Sequence, residues 1–522
     1  MKYVAFCHSS RLGHFAIDLL VGILPMLVSS PLPYVVLAAT KGFSLPPPRS
    51  ALTEVLPNDS VIDALTVPYR KEIFGHPRGL WVLVLTEGWV AFSLYGLQSI
   101  LVLYLADHLL QPGHIENVWG MGAVKAVLGL LYAPVGIQAT AGAITGLFLA
   151  LIYATPLLGG FVADRFLGKT RTILLGAILM TVGHVLMSFD WSFVLAVVFL
   201  LLGIGAAGGL RAQVGALYAL DDRRRSDAYQ IYSLGVQAAV IVSPALCGML
   251  AMKAWHWGFL TAGLGMLTGL IVYLFGRRWL PEDAVFKASS PRPRLTSREK
   301  KTSVLLLALL PVLALGALPN DEIFDGYLLW GREHYQLTFF GHLFPVSSLV
   351  SFDGFISTLM TISVLWFWRM YARHRPDPAE ITKVAIGTFI ASSGPAVLAL
   401  ASWLYPEPHQ ISLFWGLAFH IINDIGFSMS YAIGMAMYSR AAPVSLNTIF
   451  VACFSLHLFM ANLTIGKLST LIGHIGDVPF WLLHSGTSLV AGVILLTCSI
   501  VFRSFLAPGN VPSGRDNPSH IL

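Results

Sequence analysis

Residues 277–301 read RRWLPEDAVFKASSPRPRLTSREKK, the longest basic, proline-containing stretch of the chain. It is too polar to lie in hydrocarbon, where one Lys, Arg or Asp at the bilayer centre costs about 2.5–3.5 kcal/mol. On both sides of it the sequence changes character. Apolar runs precede it at about 80–106, 140–163, 170–189, 192–219, 226–251 and 255–276. Others follow at about 302–331, 348–369, 383–405, 411–438, 445–473 and 480–503. A helix crosses the hydrocarbon core in roughly 20 apolar residues, so each run is long enough to span. The stretch thus divides an all-α polytopic membrane protein six plus six.

Composition agrees. Of 522 residues, 56% are hydrophobic and 11% charged, and the mean hydropathy is +0.71. A soluble chain carries about 25% charged residues, so lipid must solvate much of this surface. The formal charge of +6 would suggest nucleic acid in a soluble protein, but its distribution argues against that partner. Basic residues collect on one side of the spans: Arg70, Lys71, Arg78; Arg165, Lys169, Arg171; Arg223–Arg225; Arg277–Lys301; Arg369–Lys383; Arg440; Arg503 and Arg515. The opposite loops offer Lys125, Lys253 and Arg332. This positive-inside pattern places both ends of the 80–505 region in the cytoplasm of a bacterial-type inner membrane. Cys7, Cys247, Cys453 and Cys498 show neither disulfide nor metal spacing.

The expected organisation is an N-terminal extension (1–75), a first six-helix bundle (76–276), a cytoplasmic linker (277–301), a second bundle (302–505) and a cytoplasmic tail (506–522). Two six-helix bundles with substrate held between them at the midplane is the architecture of the major facilitator class. Within the extension, Ala16–Thr40 is apolar but contains Asp18, Pro25, Pro31 and Pro33. It reads as a thirteenth crossing, an uncleaved signal-like segment or a stretch lying on or in the membrane, with the last preferred; no small-residue cleavage motif follows it.

Four segments together resemble the proton-dependent oligopeptide transporter family. His76-Pro77-Arg78-Gly79-Leu80, then Thr86-Glu87-Gly88-Trp89-Val90-Ala91-Phe92-Ser93-Leu94-Tyr95-Gly96, are similar to the family's HPRGL and TExWERFSYYG. Gly159-Gly160-Phe161-Val162-Ala163-Asp164-Arg165 with Gly168-Lys169-Thr170-Arg171-Thr172 looks like its GGxxADRxxGxxRT turn. Tyr232-Ser233-Leu234-Gly235-Val236-Gln237 is similar to FYxxINxG, and Gly434-Met435 with Ala442-Pro443 to SPxGL…AP. Order and spacing hold over roughly 76–505. The resemblance implies a major facilitator fold of twelve spans and import of small peptides on a proton gradient. It calls for no cofactor and no metal, and for a monomer in the bilayer.

The departures from the family pattern are as informative. The family's first span carries ExxER, whose groups share a helix face at i, i+3 and i+4. Here Glu87 remains, while Val90 and Ala91 replace the second Glu and the Arg. A family Lys of the fourth span appears as Arg211, which stays charged where Lys can release a proton. Gln237 stands for a substrate-contacting Asn, Tyr95 remains of a Tyr pair, and Phe427 aligns with the Glu that the resemblance assigns to the peptide amino group. Asp424, three residues earlier, offers a partial replacement. Charge inside a membrane marks function by default, so Asp321, Glu322 and Asp325 of the seventh span join Glu87 as proton-coupling candidates. In a continuous helix Asp321 and Asp325 would share a face.

Substrate binding is thus expected at Tyr95, Arg211, Gln237, Phe427 and Asp424, and a gating turn at Asp164, Arg165, Lys169 and Arg171. Blander readings stand beside these. Asp424 and Lys467 would pair with each other, Arg223–Arg225 would only set topology, and His184 and His420 would be buried, satisfied side chains rather than metal ligands. No HExxH, P-loop or nucleophile elbow is visible, which argues against a pump or an enzyme. The alternatives to proton-coupled peptide import are carriage of a non-peptide anion, uniport, and a non-transporting receptor that kept the fold.

Overall fold

The computed structural model describes residues 72–219, 222, 224–281, 295–339 and 341–506. The apolar Ala16–Thr40 segment, most of the 277–301 linker, Arg223 and the tail beyond Leu506 lie outside the described residues. A short hairpin, β1 (Glu72–Ile73) with β2 (His76–Pro77), leads into α1 (Arg78–Tyr104). There follow α2 (Met121–Leu131), α3 (Ile137–Val162), α4 (Lys169–Leu186), α5 (Phe193–Ala207), α6 (Leu210–Ala216), α7 (Arg224–Ala251) and α8 (Trp255–Gly276). Past the linker come α9 (Ser297–Asp321), α10 (Gly326–His334), α11 (Ser348–His374), α12 (Glu380–Leu404), α13 (Leu413–Ala441), α14 (Asn447–Phe454), α15 (Leu456–Leu468) and α16 (Asp477–Val501).

The linker ends in a capping box. The Thr296 hydroxyl accepts from the Glu299 amide while the Glu299 carboxylate accepts from the Thr296 amide, satisfying donors that a helix start leaves free. The helix of the seventh span therefore begins at Ser297, five residues before the apolar run expected from 302.

Among the described residues, eleven helices are long and apolar enough to cross a membrane. The remaining expected span is α13, whose 29 residues would extend about 43 Å at 1.5 Å per residue. Its polar load of His420, Asn423, Asp424 and Arg440 lowers its apolarity, and it is sheltered by packing on α11 and α12. The twelve-span fold stands. Outward faces carry exposed Leu202, Leu264, Phe275, Val490 and Ile500, a surface that needs hydrocarbon around it.

Three expected spans are not continuous. The fourth breaks after Ala207 at Gly208-Gly209, the eleventh breaks at Phe454-Ser455, and the seventh breaks at Asp321. In the seventh, Pro319 lacks an amide hydrogen and disrupts the ladder, then a single 3₁₀ turn (Glu322–Phe324) turns the chain before α10. The segment between the first two crossings, expected to be a loop, contains the 11-residue α2, too short to span.

α1 packs on α7 and α8, α4 on α5 and α8, and α3 on α5. In the second bundle α12 packs on α13 and α16, α9 on α15 and α16, and α11 on α13. The bundles meet where α3 lies on α15 and α7 on α11. Hydrogen bonds across that seam gather at one face of the membrane domain. There Arg332 pairs with Asp107, Gln138 donates to Glu333 at 2.7 Å, and Lys467 donates to the Tyr132 carbonyl at 2.8 Å. At the opposite, basic face the described ion pairs stay within a bundle: Arg224 with Glu72, Lys383 with Asp377, Arg440 with Glu380. One face is thus closed; at the basic face the described ion pairs leave the bundles unjoined, and Arg211 between them is exposed, so that face is open.

Candidate functional site

Between the bundles, side chains of both halves converge on the region that opens to the basic face. From the first bundle, Glu87 on α1 lies beside the Tyr232 hydroxyl and within the field of Arg211. The Arg211 guanidinium stands 6.0 Å from the centre of the Tyr232 ring. Arg211 is exposed, with no ion-pair partner among the described residues. It lies on the short α6, which follows α5 after Gly208-Gly209, both in right-handed helical conformation.

Tyr95, one turn past Ala91, reaches across the seam and packs its ring 6.0 Å from Phe324. It interacts with Tyr431 and Asp321 of the second bundle and with Glu87 of the first. Tyr153 on α3 faces the same Asp321 and Tyr431. Phe427 stacks on Tyr431 at 5.3 Å with an interplanar angle of 19°, lining a narrow cleft with Asn320, Asn423 and His457. Gln237 lines a 480 Å³ groove between α7 and α11 together with Tyr229, Gln230, Ser233 and Thr361. Glu87, Tyr95, Arg211 and Phe427 thus come into one neighbourhood, with Gln237 in the groove beside it. Tyr153, Tyr232 and Tyr431 belong to the wall as well; Tyr232 sits in the third sequence motif, which was the available signal.

The acids of the seventh span do not act as one face. Because the helix ends at Asp321, that carboxylate turns to α15 and accepts from Asn462 Nδ2 at 2.6 Å. Glu322 is buried against His484 Nε2 of α16 at 3.1 Å. Asp325 lies at the bundle seam: a Cβ on Gly142 of α3 would stand 2.9 Å from its Oδ1. Three neighbours in sequence therefore face three different partners, and the shared face expected of Asp321 and Asp325 is absent.

Asp424 is a second correction. It is fully buried inside the second bundle, whereas Phe427 lines the cleft. Asn423 lines the cleft with Phe427, and Asp424, turned about 100° from Asn423, faces Asp353 and His420 instead. Nor does it pair with Lys467, whose ammonium donates to the Tyr132 carbonyl across the seam. His420 is satisfied as expected, between Asp353 and Tyr327, but both ring nitrogens of the buried His184 lack a partner.

At the end of α3, a π turn (Ala163–Leu167) carries Asp164 and Arg165, and Gly168 begins α4 with φ at +77°, a conformation costly for any residue with a Cβ. Asp164, Arg165 and Arg171 are exposed and Lys169 is half-buried. None has an ion-pair partner among the described residues, as suits a turn on the open face. On the closed face a cavity of 830 Å³ is rimmed by Tyr104, His108, Asp190, Trp191 and Arg332. There Asp190 Oδ2 meets His108 Nε2 at 3.0 Å and His114 Nδ1 at 2.8 Å.

Residues 117–456 match the family profile of the Major Facilitator Superfamily. A di-/tripeptide transporter of Lactococcus lactis subsp. cremoris is 29% identical over 395 residues, covering 73% of this chain and 70% of that protein. The peptide transporter YePEPT of Yersinia enterocolitica subsp. palearctica is 24% identical over 449 residues, covering 72% of this chain and 84% of its own. Among solved structures, a peptide transporter POT in complex with alafosfalin superposes with a TM-score of 0.70 at 20% identity, covering 82% of this chain and 96% of that one.

Proposed function

We propose that this chain, which belongs to the Major Facilitator Superfamily and within it to the proton-dependent oligopeptide transporter family, imports di- and tripeptides or peptide-like metabolites by alternating access. It is a transporter, not an enzyme. The observation that carries the reading is Arg211: a permanent cation, exposed and without an ion-pair partner among the described residues, in a tyrosine-walled space between two bundles. A substrate carboxylate is the partner it lacks, and a guanidinium binds carboxylate through two parallel hydrogen bonds. Tyr95, Tyr153 and Tyr431 would hydrogen-bond a peptide backbone, and Gln237 would meet a longer side chain in its groove.

The proton gradient is the driving force, and no resident cofactor is called for. Asp321, Glu322 and Asp325 at the break of the seventh span are the groups that would carry the proton, and Glu87 beside Tyr232, without its charged neighbours at 90 and 91, would be dispensable for coupling. The excess of Lys and Arg on the open face makes that face cytoplasmic, so this conformer is inward-open in a bacterial-type inner membrane. Asp164, Arg165, Lys169 and Arg171 would gain partners when that face closes. We take the working unit to be a monomer in the bilayer.

A second reading is favoured by Phe427. With an aromatic surface where the family presents a carboxylate, the site holds a fixed cation and no amine anchor, which also suits an organic anion other than a peptide. Counterflow in proteoliposomes decides between them: trapped unlabelled dialanine should accelerate entry of labelled dialanine. Exchange with succinate but not with dialanine would replace the first reading by the second.

A further inference from the structure

The most self-contained polar cluster outside the substrate site lies inside the second bundle, two turns in from the closed face. His420 of α13 directs Nδ1 to Asp353 Oδ1 of α11 at 2.8 Å and Nε2 to the Tyr327 hydroxyl of α10 at 3.0 Å. Asp424, one turn along α13, brings a carboxylate oxygen to within 4.8 Å of the ligand atoms of both. All three are buried, His420 and Asp424 completely. Among the described residues neither oxygen of Asp424 has a hydrogen bond of good geometry, although the neighbouring Asn423 side chain lies close enough to act on it.

Among the described residues the elements packed on α13 bring no cation to them. Of the elements packed on α13, α12 has as its charged residues Glu380 and Lys383, both at its far end and paired there with Arg440 and Asp377. α14 has no charged residue, and α11 contributes Asp353 itself, while its Arg369, Arg373 and His374 lie at its far end. α10 contributes Tyr327, whose hydroxyl also meets that of Tyr335 at 3.3 Å. Near the end of α9, Asn320 Oδ1 accepts from Asn423 Nδ2 at 3.3 Å, and Asp321 is turned away to Asn462. On α16 the ionisable His484 is committed to Glu322. Two carboxylates thus share one imidazole in a space sealed by Phe419, Tyr327 and Trp481.

A buried carboxylate without donor or cation is heavily penalised. Since both nitrogens of His420 are already engaged, the imidazole has no lone pair left for a metal ion, and the smallest ligand that satisfies the free carboxylate oxygens is a proton. We infer that Asp353, His420 and Asp424 form a proton-binding site, with Asp424 as the acceptor, that sets the position of α10 and through it the gate on the closed face. The link is short. Tyr327, bonded to His420, and Arg332, paired with Asp107 of the first bundle, lie on the same nine-residue helix.

With the proton on Asp424 one carboxylate faces one imidazole, the Tyr327 bond holds, and Arg332 stays in reach of Asp107. When the proton leaves Asp424 for water, two like charges meet inside 4.8 Å, which disfavours the sealed arrangement. Water reaches the cluster when the closed face opens and releases Tyr327 and Tyr335. The site therefore exchanges its proton with the solution on that face. This inference rests on the transport reading above, and it assigns coupling to a place that the sequence motifs do not reach.

Full-length protein in proteoliposomes tests it with two readouts. Infrared difference spectra between acid and alkaline buffer should show a protonated buried-carboxyl stretch that Asp424→Asn removes. The same variant mimics the protonated acid, so it should keep dialanine counterflow and lose accumulation driven by a pH gradient. His420→Gln, a second variant should Asp424→Asn fold poorly, should shift the carboxyl band and also lose accumulation. An unchanged band, or gradient-driven accumulation equal to that of the parent protein, overturns the inference. Absence of dialanine counterflow in the parent would count against the transport reading alone, and the infrared band would still decide the proton site.

Discussion

Gly146 of α3 and Gly466 of α15 meet backbone to backbone across the seam between the bundles: a Cβ on Gly146 would lie 2.5 Å from the Gly466 amide nitrogen and 2.6 Å from its Cα. No side chain can yield there, because the obstructing atoms are main chain. The contact sits among the cross-bundle hydrogen bonds of the closed face, so that face closes only with glycine at 146. Gly146→Val should therefore favour the conformer open on that face. A cysteine pair replacing Gln138 and Glu333, bonded at 2.7 Å in the parent, should cross-link less efficiently in the Gly146→Val background. Unchanged cross-linking would remove this contact from the gate.

Arg211 has no ion-pair partner among the described residues, which leaves its charge available to a substrate carboxylate. Truncating one partner of a hydrogen-bonded charge pair costs roughly 2–5 kcal/mol, at least about 30-fold in Kd. Arg211→Ala should weaken binding of free-acid dipeptides by that much and leave dipeptide amides nearly unaffected. Arg211→Lys should fall between, since Lys keeps the charge without the planar fork. Equal loss for acid and amide would show that the residue holds the fold rather than the carboxylate.

Phe427, stacked on Tyr431 and lining a cleft of amides and aromatics, presents no anion to an amine. The enclosed Asp424 does not replace it. N-acetylated dipeptides should compete with labelled dialanine about as well as the unblocked ones. A strong preference for the free amine in competition assays would mean that another acid, Asp321 being the nearest candidate, reaches the peptide.

His334, at the end of α10 and outside the membrane-crossing segments, gives a pH-dependent stability. Burial by itself pushes this imidazole down, but Asp477 at 2.9 Å, the Trp330 carbonyl and the charge of Glu407 outweigh it, and the net direction is up. A group raised on folding stabilises fully below its unfolded value, near 6.5, and the contribution fades as pH rises through the folded value. Melting temperature in detergent should therefore fall from slightly acid to alkaline buffer, and Asp477→Asn should flatten that slope. A parent protein that melts higher as pH rises across this window would contradict the assignment.

The span pattern was legible because it depends on local composition: the polar 277–301 stretch and the apolar runs around it are written in consecutive residues. Glu87 and Arg211 were legible for a related reason, as scarce charges within matched motifs. The second bundle resisted. Helical spacing assumes an unbroken helix, so the turn after Pro319 that separates Asp321, Glu322 and Asp325 could not be read from their numbers. Asp424 followed the same error, assigned to the cavity by its nearness to Phe427. The pairs Asp353–His420 and Glu322–His484 join residues 67 and 162 positions apart, and nothing local to either partner announces the other.

The most direct test of the central claim is accumulation of labelled dialanine by proteoliposomes, with and without an imposed pH gradient, acid outside. The account predicts uptake above equilibrium with the gradient, collapse to equilibration when a protonophore is added, and loss of both in Arg211→Ala. Because Glu87 has lost the charged neighbours at 90 and 91, Glu87→Gln should still accumulate. Uptake that merely equilibrates in the parent protein under the gradient would contradict proton-driven peptide import, and abolition of accumulation by Glu87→Gln alone would return the coupling to the first span.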